Sequence, residues 1–289
     1  MKEKKQSQMA EKCAYVRAIH LLYDNPIIFE DPFAIKLISS GSRRILNSWI
    51  LRRLLALRYP WGRYCLGEIV ARNRYSEDQL EKAIARGIKQ YVIIGAGLDS
   101  FALRRRDLEE HLKIFELDHP TTQRVKKERL DKLNINLPKN LEFVPIDFEK
   151  DTIAKALGQS SYLHQLPAFF SWMGTVNYLT RGAIFKTLRS LTSFSAPGSE
   201  IIFDYPILDE LLDPSELRRI KQIRRFTKRC GEPWITSFDP IALPIEMKEL
   251  GFTLIENLSP HEQKIKYFKN RKDGLTTLEA TYFAHFRIQ

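Results

Sequence analysis

Gln90-Tyr-Val-Ile-Ile-Gly-Ala-Gly-Leu-Asp-Ser100 is the stretch whose reading decides the fold. Tyr91 to Ile94 are apolar on both faces, the pattern of a buried parallel strand. The run ends in Gly95-Ala96-Gly97, where glycines let the backbone turn sharply and approach a ligand with no Cβ in the way. Leu98 to Leu108 reads as the start of a helix, whose free N–H groups and dipole favour a negative group. Further on, Lys113-Ile-Phe-Glu-Leu-Asp118 is a second apolar strand ending in a carboxylate. Strand, glycine turn, helix, strand and terminal acid together describe a nucleotide-type site at the carboxyl ends of a parallel sheet. The unit alone leaves open which nucleotide.

Two residues of the turn separate the candidates. A dinucleotide needs a third glycine where this chain has Ser100, and the acidic Asp99 beside it repels a pyrophosphate, so NAD and FAD are disfavoured. S-adenosylmethionine carries no phosphate, and its sulfonium and ammonium tolerate carboxylates. Its ribose diol still uses an acid at the second strand end. The turn favours the methyl donor.

Outward from the turn the chain alternates. Leu141 to Asp147 is a third strand, and Pro145 within it argues for an edge position. Ala168 to Tyr178 reads as the fourth strand and its tip, Thr180 as the N-cap of a helix to Leu191, and Glu200 to Tyr205 as the fifth strand. Residues 206–244 interrupt the rhythm with a basic helix and Gly231-Glu-Pro-Trp-Ile235, an inserted cap. Residues 245–250 form a helix closed by Gly251, and Thr253–Asn257 and Leu278–Arg287 form strands of an antiparallel hairpin around a basic loop. Towards the N-terminus, residues 14–23 are amphipathic, Asp24-Asn-Pro26 breaks that helix, and Asp31-Pro32 opens the next with Asp31 as N-cap. Ile45, Leu46, Trp49, Ile50, Leu54 and Leu57 recur at helical spacing among arginines, the pattern of a helix packed on its own domain or laid on a membrane. A further helix over 63–86 ends at Gly87. The expectation is a single α/β domain over 1–289: a helical lid (1–87), a donor-binding core (88–205), an inserted cap (206–244), and a C-terminal helix and hairpin (245–289).

Composition sets outer bounds. A hydrophobic fraction of 44% supports a sizeable core, and with no run of 18 apolar residues a membrane-spanning helix is excluded. The charged N-terminus lacks the apolar segment of a signal peptide, and three scattered cysteines suit a reduced, cytoplasmic setting. Six histidines form no ligand pair and no CxxC occurs, so no metal site is expected. The net charge of +11 is clustered: eight arginines against Glu68 alone between Arg43 and Arg74, seven bases and no acid from Leu217 to Arg229, and five bases from Lys264 to Lys272. That distribution reads either as a positive surface for an anionic partner or as solvated faces whose arginine stems cover apolar surface.

Ala71-Arg-Asn-Arg, the glycine turn from Val92, Phe115-Glu-Leu-Asp-His-Pro, Phe143-Val-Pro-Ile-Asp-Phe, Gly174-Thr-Val-Asn-Tyr-Leu-Thr and Gly231-Glu-Pro-Trp resemble, in this order, the leucine carboxyl methyltransferase and polyketide O-methyltransferase family. Arg17-Ala and Asp31-Pro-Phe-Ala are similar to that family too, so the resemblance runs from about residue 8 to the C-terminus. It implies a class I methyltransferase fold, a Rossmann-like sheet of seven strands with the last antiparallel, and S-adenosylmethionine as donor. It also implies donor-site roles. Arg72 pairs with the donor carboxylate, Gly95 and Gly97 give backbone access, Asp118 (or Glu116, on the same strand face) accepts the ribose hydroxyls, and Asp147 and Phe148 hold the adenine. Asp99 meets the donor's cationic end or caps the helix. Where the family's protein carboxyl methyltransferases carry a glutamate before the glycine, this chain has Met173, which shifts the expectation towards O-methylation of a metabolite.

The expected chemistry is in-line displacement by an acceptor oxygen, with the protein supplying proximity and alignment. A carboxylate acceptor needs no base. For a hydroxyl the candidates are Tyr178, Tyr205, Asp204 and His119, with His119 reading more as structural and the tyrosines equally as pocket wall. The arginine-rich lid suggests a small-molecule acceptor that is anionic or is carried on an acidic protein. Alternatives are an RNA methyltransferase, though no nucleic-acid module is present, a protein carboxyl methyltransferase, which Met173 disfavours, and a non-catalytic scaffold, though neither the glycine turn nor Asp118 is lost.

Overall fold

The computed structural model describes residues 8–148 and 150–289. Most of the basic N-terminal tail read from sequence lies outside the described residues. Seven strands form one sheet: β1 (Gln90–Ile94), β2 (Lys113–Asp118), β3 (Leu141–Pro145), β4 (Phe169–Trp172), β5 (Glu200–Pro206), β6 (Phe252–Leu258) and β7 (Thr281–Ile288), in the order β3-β2-β1-β4-β5-β7-β6. The first five run parallel, and β7 is antiparallel to both its neighbours. β3 is an edge strand, which accommodates Pro145 because no neighbour there needs its N–H. The strand order reverses at β1, between β2 and β4, and that reversal opens a crevice beyond the strands' carboxyl ends.

Helices cover both faces, which explains the uninterrupted apolar strands. Val92, Ile94, Phe115, Leu117, Phe170 and Trp172 point into one core. Their strand neighbours Tyr91, Ile93, Ile114 and Phe169 point into the other, against Val70, Tyr75 and Leu80 of α5. Alternation along each strand, with two buried faces, makes both sets of positions mostly apolar.

The helices are α1 (Gln8–Tyr23), α2 (Ala34–Leu37), α3 (Ser40–Asn47), α4 (Trp49–Arg58), α5 (Gly62–Ala85), α6 (Phe101–Arg104), α7 (Pro120–Lys132), α8 (Ile153–Leu157), α9 (Arg181–Phe194), α10 (Pro214–Arg229), α11 (Ala242–Glu249) and α12 (Pro260–Tyr267). Thr180 caps α9 through Ala183 N–H, as its sequence position predicts. Asp31 Oδ1 accepts from the N–H groups of Phe33 and Ala34 at 3.1 and 3.0 Å, but α2 begins at Ala34, two residues later than Pro32 suggests, so Phe33 and not Asp31 occupies the N-cap position.

Four expectations need correction. The helix after the glycine turn is one turn long, starting at Phe101, because Asp99 Oδ1 takes the Phe101 N–H at 2.7 Å and holds residues 95–100 as loop. The segment from Arg43 to Leu57 is two helices, broken where Ser48 leaves helical geometry and caps α4 through Leu51 N–H. Leu46 of α3 is buried, but α4 buries no residue, so it does not pack as the sequence periodicity implies. Finally, β6 and β7 pair as expected, but the segment between them contains α12 with a full capping box at Ser259 and Glu262, and β7 inserts between β5 and β6.

Candidate functional site

The glycine turn and β2 meet by register. Ile94 pairs with Leu117, and Gly95 N–H donates to Leu117 O at 2.8 Å, which sets the turn beside Asp118. Asp118 Oδ2 accepts from Gly97 N–H at 2.5 Å and Oδ1 from His119 N–H at 2.6 Å. Burial raises the Asp118 pKa, and those two backbone donors oppose the rise. Gly97 has φ +54°, and a Cβ there would stand 3.0 Å from Ala10 Cβ on α1. The lid helix therefore lies directly on the turn. Arg17 of α1 fastens it, with Nη2 donating to Leu98 O at 2.7 Å and Nε to Asp31 Oδ2 at 2.8 Å.

Glu116 is not available as the alternative acid. It is buried and ion-paired with Lys126 of α7, and it does not line the cavity. Spacing places Glu116 and Asp118 on one strand face, yet only Asp118 lies past the sheet edge where the cavity opens.

Arg72 of α5 is held from three sides. Nη1 lies 3.3 Å from Asp204 Oδ2, Nη2 donates to Cys13 Sγ at 3.4 Å, and the guanidinium lies flat over Gly174. A Cβ on Gly174 would approach Arg72 Nη2 to 2.5 Å, and its φ is +72°. Only glycine satisfies both demands. Asp204 completes the seat by accepting from Gly174 N–H at 2.5 Å. Two of the guanidinium's five N–H groups are thus engaged, leaving donors for a carboxylate.

Arg72, Gly95, Gly97, Asp118, Asp147 and Phe148 all line one cavity of about 970 Å³. Asp147 also lies 3.2 Å from Lys150 Nζ, and Phe148 packs partly on the sheet core. Asp99 lines the cavity while serving as the cap described above. The charges suit S-adenosylmethionine: a fixed guanidinium for a carboxylate, acids for a diol and an amino group, and glycine backbone between them.

Beyond Arg72 the cavity changes character. Tyr59 and Trp61 from the α4–α5 connection and Phe226 of α10 form a triangle of rings with centroids 5.0–5.3 Å apart. Lys12 of α1 lies 4.8 Å from the Phe226 ring centroid, and Trp234 and Ile235 from the insert continue the wall. These aromatic residues were not singled out as functional by sequence reasoning. Their signal was weak: rings in the Pro/Gly turns Tyr59-Pro-Trp-Gly62 and Gly231-Glu-Pro-Trp234.

The candidate bases separate cleanly. Tyr178 lines the cavity, but burial drives its phenol well above the ordinary tyrosine range. Tyr205 does not line it. That side chain is fully buried in the core, with its hydroxyl 2.9 Å from Asn257 Oδ1, because it points to the opposite sheet face from Asp204. His119 lines the cavity and accepts from Thr121 N–H at 3.2 Å as the N-cap of α7. Sequence reasoning also passed over Glu68, one turn before Arg72. Its carboxyl is buried in the cavity wall with Oε2 lacking a hydrogen-bond partner among the described residues, and burial first, then the Asp204 charge, push its pKa up to about 7 against the pull of Arg72.

With this geometry in place, known proteins can be compared. A family model described as Leucine carboxyl methyltransferase matches residues 10–192. YktD of Bacillus subtilis (strain 168), provisionally described as an S-adenosyl-L-methionine-dependent methyltransferase, is 33% identical over 290 residues, 94% of each chain. A Mycobacterium avium (strain 104) protein with the same provisional description is 30% identical over 180 residues, 60% of this chain and 57% of its own length. The chain thus spans little more than half of that relative. Among solved structures, a DUF574-family protein from Streptomyces avermitilis superposes with a TM-score of 0.65 at 11% identity, covering 99% of both chains. A Thermobifida fusca protein provisionally titled a methyltransferase gives 0.63 at 13% identity, over 100% of this chain and 96% of its own. At such identities these two structures bear on the fold alone, which is that of the class I methyltransferases.

Proposed function

This chain belongs to the leucine carboxyl methyltransferase family and is an S-adenosylmethionine-dependent methyltransferase, and from that premise we propose that it methylates an oxygen of a small, largely apolar acceptor. The observation that carries this reading is the continuity of one cavity from the glycine turn, past Arg72, into the chamber of Tyr59, Trp61, Phe226 and Trp234. Its volume of about 970 Å³ lies at the upper end of small-ligand sites, room for a donor and one modest acceptor. Met173, in the place of the glutamate that protein carboxyl methyltransferases carry, packs against the apolar core and supports a metabolite acceptor.

When bound, S-adenosylmethionine supplies a methyl carbon activated by positively charged sulfur. Arg72 would hold the donor carboxylate, Asp118 would accept from the ribose hydroxyls, and Asp147 would take the adenine amino group. The lid helix α1 and the ring triangle exclude water and align the acceptor oxygen for attack, which is where most of the rate gain from proximity arises. Asp204 is engaged by Arg72 and Gly174, His119 caps a helix, and Tyr178 resists ionisation. This set favours an acceptor carboxylate, which attacks without surrendering a proton, over a hydroxyl.

The test is transfer of radiolabelled methyl to a panel of hydrophobic carboxylic acids and phenols, followed by mild alkali. Alkali-labile label, released as methanol, is expected from methyl esters, and alkali-stable label would indicate aryl ethers. Label found only on nitrogen, or only on RNA, would overturn the reading.

A further inference from the structure

α4 presents its apolar face to solvent. Relative exposures are 65% for Trp49, 53% for Ile50, 56% for Leu54 and 70% for Leu57, and no residue of the helix is buried. Ile50, Leu54 and Leu57 follow i, i+4, i+7 spacing and form one stripe, with Arg53 and Arg58 on its two flanks. Between residues 40 and 58 there are five arginines and no acid. Arg43 donates to Lys36 O and Arg52 stacks on Tyr23, but no carboxylate pairs with Arg44, Arg53 or Arg58 among the described residues. Tyr23, Leu22 and Ile27 are exposed as well, and Arg52 ties Tyr23 to α4.

The contrast with α10 is instructive. That helix is more basic still, yet it buries Ile220, Ile223 and Thr227. α4 leaves its apolar stripe uncovered between its charges. An apolar stripe flanked by arginines, with a tryptophan at one end, is the make-up of a helix that lies in a membrane interface. A second copy of this chain is a poor occupant, since an isologous pairing would set arginine against arginine. The opposite side of α4 supplies Arg52, Leu55 and Ala56 to the cavity wall, so whatever α4 rests on adjoins the cavity.

We propose that α4 docks this enzyme on an anionic lipid surface, beside the cavity, so that an acceptor partitioned into that surface reaches the aromatic chamber. The class of acceptor follows from the Proposed function reading, while the docking stands on α4 alone. The experiment is flotation of the full chain with vesicles of phosphatidylcholine alone and with added phosphatidylglycerol. The wild type is compared with Leu54→Ser/Leu57→Ser and Arg53→Gln/Arg58→Gln, positions that are exposed and outside the cavity. Melting temperature and calorimetric donor binding, both expected to be unchanged, separate loss of docking from loss of fold or of donor site. Wild type should float with the anionic vesicles. The leucine pair should weaken partitioning on the order of a hundredfold, and the arginine pair about tenfold, with the arginine effect vanishing at high salt. Equal flotation of the leucine variant would overturn the proposal by assigning the binding to charge elsewhere, such as α10. So would failure of wild type to float, or a dimer in solution that the leucine variant dissociates, or retention by an acidic protein in place of vesicles.

Discussion

The two ends of the cavity are built in opposite ways. At the glycine-turn end, groups at the carboxyl ends of β1 to β5 take their positions from sheet register, and Arg72 of α5 joins them. At the acceptor end, rings from the α4–α5 connection and α10, together with the insert, meet from segments more than 150 positions apart in sequence. The first is a property of the fold, reused wherever the sheet is reused. The second belongs to this chain's lid and insert, where the proposed function would place acceptor specificity.

That contrast makes substitutions at the two ends separable. The largest effect is expected for Arg72→Ala, which removes the donor-end cation and leaves Asp204 buried without its partner. Breaking such a pair costs about 3–5 kcal/mol of stability, and kcat/KM should fall at least a thousandfold where the protein still folds, as measured by denaturant melts and initial rates. Glu68 gives the next. Its folded pKa of about 7 lies above the ordinary glutamate value of about 4.5, so its contribution to stability is fully present below about pH 4.5 and is lost as pH rises through 7. Glu68→Gln should abolish that loss, gaining about 3 kcal/mol over the wild type at pH 8 relative to pH 4.5, read from urea midpoints across pH.

Gly174→Ala follows. A non-glycine residue at positive φ costs about 1–2 kcal/mol, and its Cβ must displace Arg72, so donor affinity should fall more than tenfold with acceptor KM little changed at saturating donor. Smallest is Phe226→Ala, which opens the ring triangle. Acceptor KM should rise about tenfold while the donor dissociation constant stays constant. Reversal of the last two patterns, donor loss from Phe226→Ala or acceptor loss from Gly174→Ala, would break the division into two ends.

The same contrast accounts for what could be read from sequence. Strands buried on both faces write themselves as apolar runs, and the switch-point glycines and Asp118 stand at their ends, so the sheet and the meeting of the turn with Asp118 are legible in the sequence. Glu116 and Asp118 could not be separated by spacing, because the separation comes from Lys126, ten positions on, reaching back to Glu116. Tyr178 and Tyr205 looked alike at two strand tips. Sheet-face alternation sends Tyr205 into the core, and this requires the true end of β5. For α4, a helical apolar period marks an amphipathic helix but not whether anything covers it. Only tertiary placement decides that, and here nothing within the described chain does. The ring triangle depends on α10 returning to the lid, a contact with no local signature.

Calorimetric titration of S-adenosylmethionine and S-adenosylhomocysteine into wild type and Asp118→Ala tests the central claim most directly. The account predicts one site per chain in the wild type and at least hundredfold weaker binding in the variant, since two charge-assisted hydrogen bonds to a diol are lost. Equal affinity in the folded variant, or no binding of either ligand by the wild type, would contradict it.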